Sequence, residues 1–569
     1  MLLTNRATRI PFVFLSVAIF LIGLGYIFLH PPLASIDEYA HYSIIRQTTD
    51  TGTIPKNGNS RVAQEVVTFL QNTPMPFSMR PPHGALEGCR WTYPQFFQQP
   101  ENVKSFRENY REPAQHPRYT PSAMNNWEAQ HPPLYYLVMT LLMRATEHLS
   151  FAGQVFTLRL ASFLLALIGF AVSLHGTLRQ AGPTPRVATA FLIYPLAAPM
   201  FFLEFARIGN DSLCLFLVGI LWSLALQTLR DERDKTLALA LGATLALGLL
   251  TKALFLPIAL GLTLFLLTRA WRDRKDRALT RQRLSELALM IVFPAVASLW
   301  YIHNYLTFGT LTGSTDEIRM LSGGSMSSHL STVPVFVMVY AFFGSLDFLI
   351  NSWLWSWWAD PVSVLKRPSE LIRVPALIFT IGLIALYLRR TRMKPITDAV
   401  WLPVWLTAPV LIGLAYHIFV VMALNGYRGT PGWYLHVLLP AIATAFAIGL
   451  QDIERTALRR SILKGFLLWF VAFFAFVTWA AAATFGGCAR AAAYEFDLFP
   501  DRTMCLNQWP LIVERLDVLA WPISASICLI GGLLAWLIGL RLLFKKQTAS
   551  PVPYAPTGGV LSPSGSNDP

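Results

Sequence analysis

Charge is what this chain has least of. Asp, Glu, Lys and Arg make up 14% of its 569 residues while 54% are hydrophobic; soluble domains carry roughly 25% charged residues. A soluble globular fold is therefore excluded. Cysteine is also scarce: there are five, none in a C-x-x-C pair, so no structural zinc site is indicated. Acidic residues are outnumbered, 32 against 46 Lys and Arg, for a net charge of +14. That excess does not point to nucleic acid, because no basic face with groove-reading or stacking elements accompanies it. Lys and Arg cluster instead in short loops between apolar runs, where membrane orientation accounts for them. An internal repeat of the kind that builds many transporters is also missing.

What the chain has in abundance is apolar runs, and roughly 20 residues suffice to cross a bilayer as helix. The reading is an all-α polytopic membrane protein. Arg6 and Arg9 precede the run Ile10–Leu29, as in a signal peptide. The run is long and no small-residue cleavage site follows it, so a retained first span with a cytoplasmic N-terminus is expected. Residues 1–30 form that first helix, and 31–150 a large polar outer loop with juxtamembrane helices. A transmembrane core is expected over 151–304, an outer loop with an interfacial segment over 305–370, and further spans over 371–545 with an outer loop at 486–517. Residues 546–569, rich in Pro, Ser and Gly, read as a disordered cytoplasmic tail.

Orientation follows from the basic loop Arg269–Arg283, placed in the cytoplasm. Counting back from it works only if 132–149 does not cross, so that stretch is expected to lie at the interface. The same parity lays 333–358, with its Trp353-Leu354-Trp355-Ser356-Trp357-Trp358 run, along the outer surface. About 12 spans result, at 10–29, 155–178, 187–204, 211–229, 236–251, 253–269, 285–303, 371–388, 399–420, 434–450, 465–485 and 519–543. An outer location permits a Cys488–Cys505 disulfide, with two free thiols the alternative; Cys89 lies in the first outer loop. Cys214 and Cys528 fall in spans as packing residues.

The chemistry-bearing side chains collect at the outer ends of these spans. Asp37, Glu38, His41 and Arg46 follow the first span. If helical from Asp37, the segment puts Asp37 and His41 four residues apart on one face. His131 opens His131-Pro132-Pro133-Leu134-Tyr135-Tyr136; Arg207, Asn210 and Asp211 sit at a span junction; Lys252 and Arg428 lie in later loops. Carboxylates and cations recurring on one side suit a reaction at the membrane surface with an anionic leaving group. Each also has a bland reading. Asp37-Glu38 makes a helix N-terminal charge pair, His131-Pro132-Pro133 a helix start, Lys252 a snorkelling anchor and Arg207/Asp211 an i,i+4 pair.

Asp37-Glu38-Tyr39-Ala40-His41, followed by Gly52-Thr53-Ile54-Pro55, resembles the acidic motif of the GT-C glycosyltransferase superfamily, such as the protein O-mannosyltransferases and lipid A aminoarabinose transferases. His131-Pro132-Pro133-Leu134, Asn210-Asp211 and Leu249-Leu250-Thr251-Lys252 are similar to later segments of that pattern. Two departures stand out: Ile36 where proline is common, and Gly432-Trp433-Tyr434 where Gly-Arg-Tyr is. The resemblance covers mainly 10–270. It implies a GT-C-like fold in the bacterial inner membrane, with its active site facing the periplasm or exterior. The implied activity is sugar transfer from a polyprenyl-phosphate donor to a glycan, glycolipid or protein acceptor. Asp37 would be the base, and Glu38 would orient acceptor or metal. Lys252, Arg207 and Arg428 would hold phosphate, and His131 would contact the donor phosphate or a metal. His41, Arg46, Tyr135 and Asp211 complete the expected substrate-binding set. Some members use a divalent ion, and the sequence leaves this open. The rival readings are a transporter or flippase and a non-catalytic envelope assembly protein.

Overall fold

The computed structural model describes residues 6–74, 91–113, 117–181, 185–229, 235–354, 398–425, 430, 432–453, 457–488, 505 and 507–546. Arg428, Cys89, the expected span 371–388 and the tail lie outside these residues. The described chain is a helical bundle with one small antiparallel sheet, in which Arg61–Ala63 pairs with Pro121–Asn125. Helices dominate because lipid offers no hydrogen bonds, so each spanning segment must satisfy its own backbone. Six described helices are long and apolar enough to cross a membrane alone: Ile10–Leu29, Phe151–Arg179, Phe255–Arg272, Trp401–Leu424, Leu463–Phe485 and Pro522–Phe544. A seventh arises if Arg277–Ala297 and Leu299–Phe308, bent by 45°, act as one span. Pro294, inside the first member of that pair, explains the bend by removing a helix hydrogen bond.

The stretch 187–204 is two helices, Pro185–Ala197 and Pro199–Phe205, broken at Ala198 just before Pro199. Within 132–149 the helix Leu134–Ala145 has 12 residues, or about 18 Å at 1.5 Å per residue, short of the roughly 30 Å hydrocarbon core. The helix Val335–Leu354, in the stretch expected to lie along the outer surface, has 20 residues, of which Val335–Ser345 is a shorter apolar segment and not one of the six.

Small residues set the closest contacts. Helices Phe151–Ala181 and Asp211–Gln227 run in the same direction, Gly169 lying against Phe216 and Gly176 against Ser223. A Cβ on Gly219 would fall on the Gly169 carbonyl oxygen, so the backbones touch directly, the close approach that small residues allow in membranes. The first helix pairs antiparallel with Pro522–Lys546, Leu15 meeting Gly539 and Ile22 meeting Gly532.

One end of the bundle carries the polar loops. The described residues of 31–130 form a packed cap there. Phe69, Phe96, Phe106 and Tyr110 join Phe151 of the bundle in an aromatic core. The described residues between the helices Ala457–Phe485 and Pro522–Lys546 join the same end, since the Trp521 backbone N–H donates to the Phe28 carbonyl and Tyr93 meets Phe485 edge-on. Cys488 and Cys505 are disulfide-bonded in that segment. They are 17 residues apart, and closing a loop of that size is worth about 3 kcal/mol. Cys488→Ser is therefore expected to lower the melting temperature of the detergent-solubilised protein; an unchanged melt would show that the bridge carries no load.

Candidate functional site

The exit of the first helix turns sharply before the second begins. Leu33 and Asp37 have φ of 55° and 54°, the left-handed region that non-glycine residues seldom occupy. The second helix, Glu38–Thr51, starts one residue after Asp37, which accepts the amides of Ala40 and His41 on its backbone carbonyl. Asp37 is thus a cap, not the first member of a helical Asp37/His41 pair. Non-glycine strain of this sort costs on the order of 1–3 kcal/mol and gathers at functional sites.

The two adjacent carboxylates have opposite fates. Glu38 is fully buried, and the Arg159 guanidinium grips it with two bonds, Nε to Oε1 at 2.7 Å and Nη2 to Oε2 at 2.6 Å. The Ile208 N–H adds a third at 3.0 Å. Both Glu38 oxygens are therefore taken, which differs from the expectation that Glu38 would meet acceptor or metal. Asp37 is half-buried, and its carboxylate has no hydrogen-bond or ion-pair partner among the described residues. Burial and the nearby Glu128 charge push its pKa up to about 6, against the pull of Arg207, Lys252 and His131. These charges show that the five groups share one neighbourhood.

His41, His131 and Glu128 form one side of it. Glu128 Oε2 lies 3.4 Å from Nε2 of His41 and 3.2 Å from Nε2 of His131. His41 Nδ1 is 2.9 Å from the Tyr136 hydroxyl. Burial pushes the His41 imidazole down to about 3, so it is neutral at ordinary pH. On the other side lies a chain of buried charges. Arg207 donates from Nη2 to Glu204 at 2.6 Å and from Nη1 to the Ile36 carbonyl at 2.8 Å. Its Nη2 is 3.6 Å from Asp211. Lys252 Nζ donates to both Asp211 oxygens, at 2.8 and 2.7 Å, and sits 4.6 Å from the Tyr434 ring centre. Tyr135 fixes the intervening strap, its hydroxyl accepting the Gly209 N–H at 3.0 Å and meeting Ser162 at 2.8 Å.

Arg46 is elsewhere. Its Nη2 donates to the Pro117 carbonyl at 2.7 Å, and its Nε is 3.2 Å from Asp50 and 3.8 Å from Glu65. Five residues beyond His41 on a helix of 3.6 residues per turn, it points to a different face. The substrate-binding expectation for Arg46 is corrected on that ground: it knits the cap.

A family model described as a predicted membrane protein, DUF2142, matches residues 20–394, about two-thirds of the chain. The chain belongs to the DUF2142 family. The matched stretch contains every charged residue of the cluster, from Asp37 to Lys252. No curated protein matches this DUF2142 chain. Among solved structures it is similar to ArnT from Cupriavidus metallidurans, crystallised bound to undecaprenyl phosphate. The TM-score is 0.42 at 15% identity, covering 94% of this chain and 78% of that one.

Four cluster residues of the DUF2142 chain escaped the sequence reading: Glu128, Arg159, Glu204 and Tyr434. Two had a usable signal. Arg159 is a lone cation inside an apolar run and Glu204 a lone carboxylate at the end of another, and ionisable groups in spans are presumptively functional or paired. Glu128 stands three residues before His131, a spacing that serves only once a helical turn is known to join them. Tyr434 stands in the Gly432-Trp433-Tyr434 segment already set against Gly-Arg-Tyr, but its place against Lys252 is set by the fold.

Proposed function

We propose that this protein is an integral membrane glycosyltransferase of GT-C type, taking a sugar from a polyprenyl-phosphate donor in a bacterial inner membrane. The reading places the active site on the periplasmic or exterior face, and the acceptor is a glycan, glycolipid or protein hydroxyl. The observation that carries it is the isolation of Asp37. Among the described residues the other carboxylates gathered around it each lie within 3.4 Å of a basic side chain, Glu38 of Arg159, Glu128 of two histidines, Glu204 of Arg207 and Asp211 of Lys252. A strained, unpartnered and part-exposed carboxylate with a raised pKa is what a general base requires.

In the proposed step Asp37 takes the acceptor hydroxyl proton as that oxygen bonds to the anomeric carbon. The bond from that carbon to the phosphate oxygen breaks, inverting the centre and releasing polyprenyl phosphate. A phosphate leaves without a strong general acid, so the site needs cationic donors for its growing charge. Lys252 is held in place for this by Asp211 and Tyr434, and His131, 3.2 Å from Glu128, is a further donor to the same neighbourhood. Arg207 has its fork committed to Glu204 and Ile36, so it serves this step through its field and not as a free phosphate ligand. Among the described residues no cluster of three or more His, Cys, Asp or Glu side chains suits a metal ion, and no step is routed through one.

The test is a profile of surface glycans and lipid-phosphate sugars in cells carrying the wild-type or Asp37→Asn protein at equal membrane abundance. The variant is expected to lose one glycan substituent and accumulate its lipid-linked donor. A wild-type profile from Asp37→Asn would remove Asp37 as base. A further outcome is expected for Lys252→Met in the same profile: accumulation of donor, with Arg207 the remaining cation near Asp211. Unchanged transfer would take Lys252 out of phosphate binding.

A further inference from the structure

The turn bearing Asp37 is held from both sides. On the side before it, the Ile36 carbonyl accepts from Arg207 Nη1 at 2.8 Å. On the side after it, Glu38 takes two bonds from Arg159 and one from the Ile208 N–H. Arg159 also donates to the carbonyls of His30 and Pro31, both at 2.7 Å. Its five-donor fork therefore ties the end of the first helix to the start of the second. Between these anchors sits a residue at φ 54°. Aspartate visits the left-handed region more readily than most L-residues, yet other regions stay open to it. The backbone bonds from Ala40 and His41 to the Asp37 carbonyl and from Glu38 to the Ser35 carbonyl close the turn itself, and the two arginines are the side chains that anchor it to the bundle.

We propose that Arg159 and Arg207 are positioning residues that lock Asp37 in its left-handed conformation, Arg207 by holding the peptide carbonyl before it and Arg159 by holding the Glu38 side chain after it. The geometry stands without any assigned reaction; its consequence for turnover rests on Asp37 being the base. In that case the two arginines set where the carboxylate points, and neither touches substrate.

A mild variant reaches the clamp without stranding a charge. A Cβ on Gly209 would come 2.9 Å from Arg207 Nη1 and 3.1 Å from its Cζ. Gly209→Ala would therefore push the guanidinium off the Ile36 carbonyl while leaving every ionisable group present. The readout is the order of melting temperatures of Asp37→Ala and Asp37→Gly, each measured in detergent with and without Gly209→Ala. In a locked left-handed site glycine is the better residue, and the glycine variant should melt above the alanine variant by about 1–2 °C. Once the clamp is released, residue 37 relaxes and glycine costs more in unfolded-chain entropy than alanine. The gap should then close or reverse.

The same alanine–glycine gap in both backgrounds would overturn the proposal. If Gly209→Ala does not fold, Glu38→Gln repeats the cycle from the other side of the turn, since it keeps the side-chain shape and one acceptor oxygen. In the glycan profile, Gly209→Ala alone should lower transfer, and it should add nothing to Asp37→Asn. A collapsed gap with an unchanged Asp37→Asn profile would uphold the clamp and remove the transferase reading. A preserved gap would remove the clamp whatever the profile shows.

Discussion

Arg159→Met should cost the protein about 3–5 kcal/mol, the usual penalty for removing one partner of a buried ion pair. The reason is what it leaves behind. Glu38 is fully buried, and without the guanidinium its carboxylate keeps only the Ile208 N–H. The His30 and Pro31 carbonyls lose their donor as well, each worth about 1 kcal/mol. Against a typical folding stability of 5–15 kcal/mol, this is a large share. The measurement is the melting temperature in detergent together with membrane abundance in cells. Glu38→Gln in the same chain removes the stranded charge and should recover part of the loss. A single Arg159→Met variant that melts like wild type would mean that the Glu38–Arg159 pair contributes nothing, and the account of Glu38 as a structural carboxylate would fall with it.

That pair also shows where sequence reading stops. The adjacency of Asp37 and Glu38 is plain in the sequence, and so is their place at the end of an apolar run. Which one is buried and bonded is decided by Arg159, 121 residues away from Glu38, and no local pattern reports it. The all-helical membrane architecture was legible because the bilayer imposes length and apolarity on each span. So was the gathering of His131, Arg207, Asp211 and Lys252 at one end, since each stands where an apolar run begins or ends. Their partners were not. Lys252 and Asp211 are 41 residues apart and meet because two apolar helices, Asp211–Gln227 and Lys235–Leu249, run out and back between them, which fixes an end of the bundle and not a distance. Arg46 misled for the opposite reason: it is near His41 in sequence, and the helical turn carries it to another face. The left-handed φ at Asp37 was invisible too, because aspartate tolerates that region without a sequence mark.

Asp37→Asn is expected to slow transfer by roughly 10²–10⁴-fold, the range for loss of a general base, with little change in stability. Asparagine keeps the shape and also tolerates the left-handed backbone, and the Asp37 carboxylate has no side-chain partner among the described residues to strand. The pH dependence carries the same claim further. The base works only when ionised, so wild-type turnover should rise with pH through about 6, where burial and Glu128 have moved the Asp37 carboxyl. Near pH 7 it is then mostly ionised, by about ten to one, yet still basic enough to accept a proton. Glu128→Gln removes the like charge that helps hold the pKa up, and losing a like charge favours the ionised form. The rising limb of the Glu128→Gln profile should therefore shift to lower pH. The Asp37→Asn profile should lose that limb altogether. These profiles are read from initial rates with a polyprenyl-phosphate sugar at saturating acceptor. A limb that survives in Asp37→Asn belongs to another group, and Glu128, already flanked by two histidines, would then be the carboxylate to test as base.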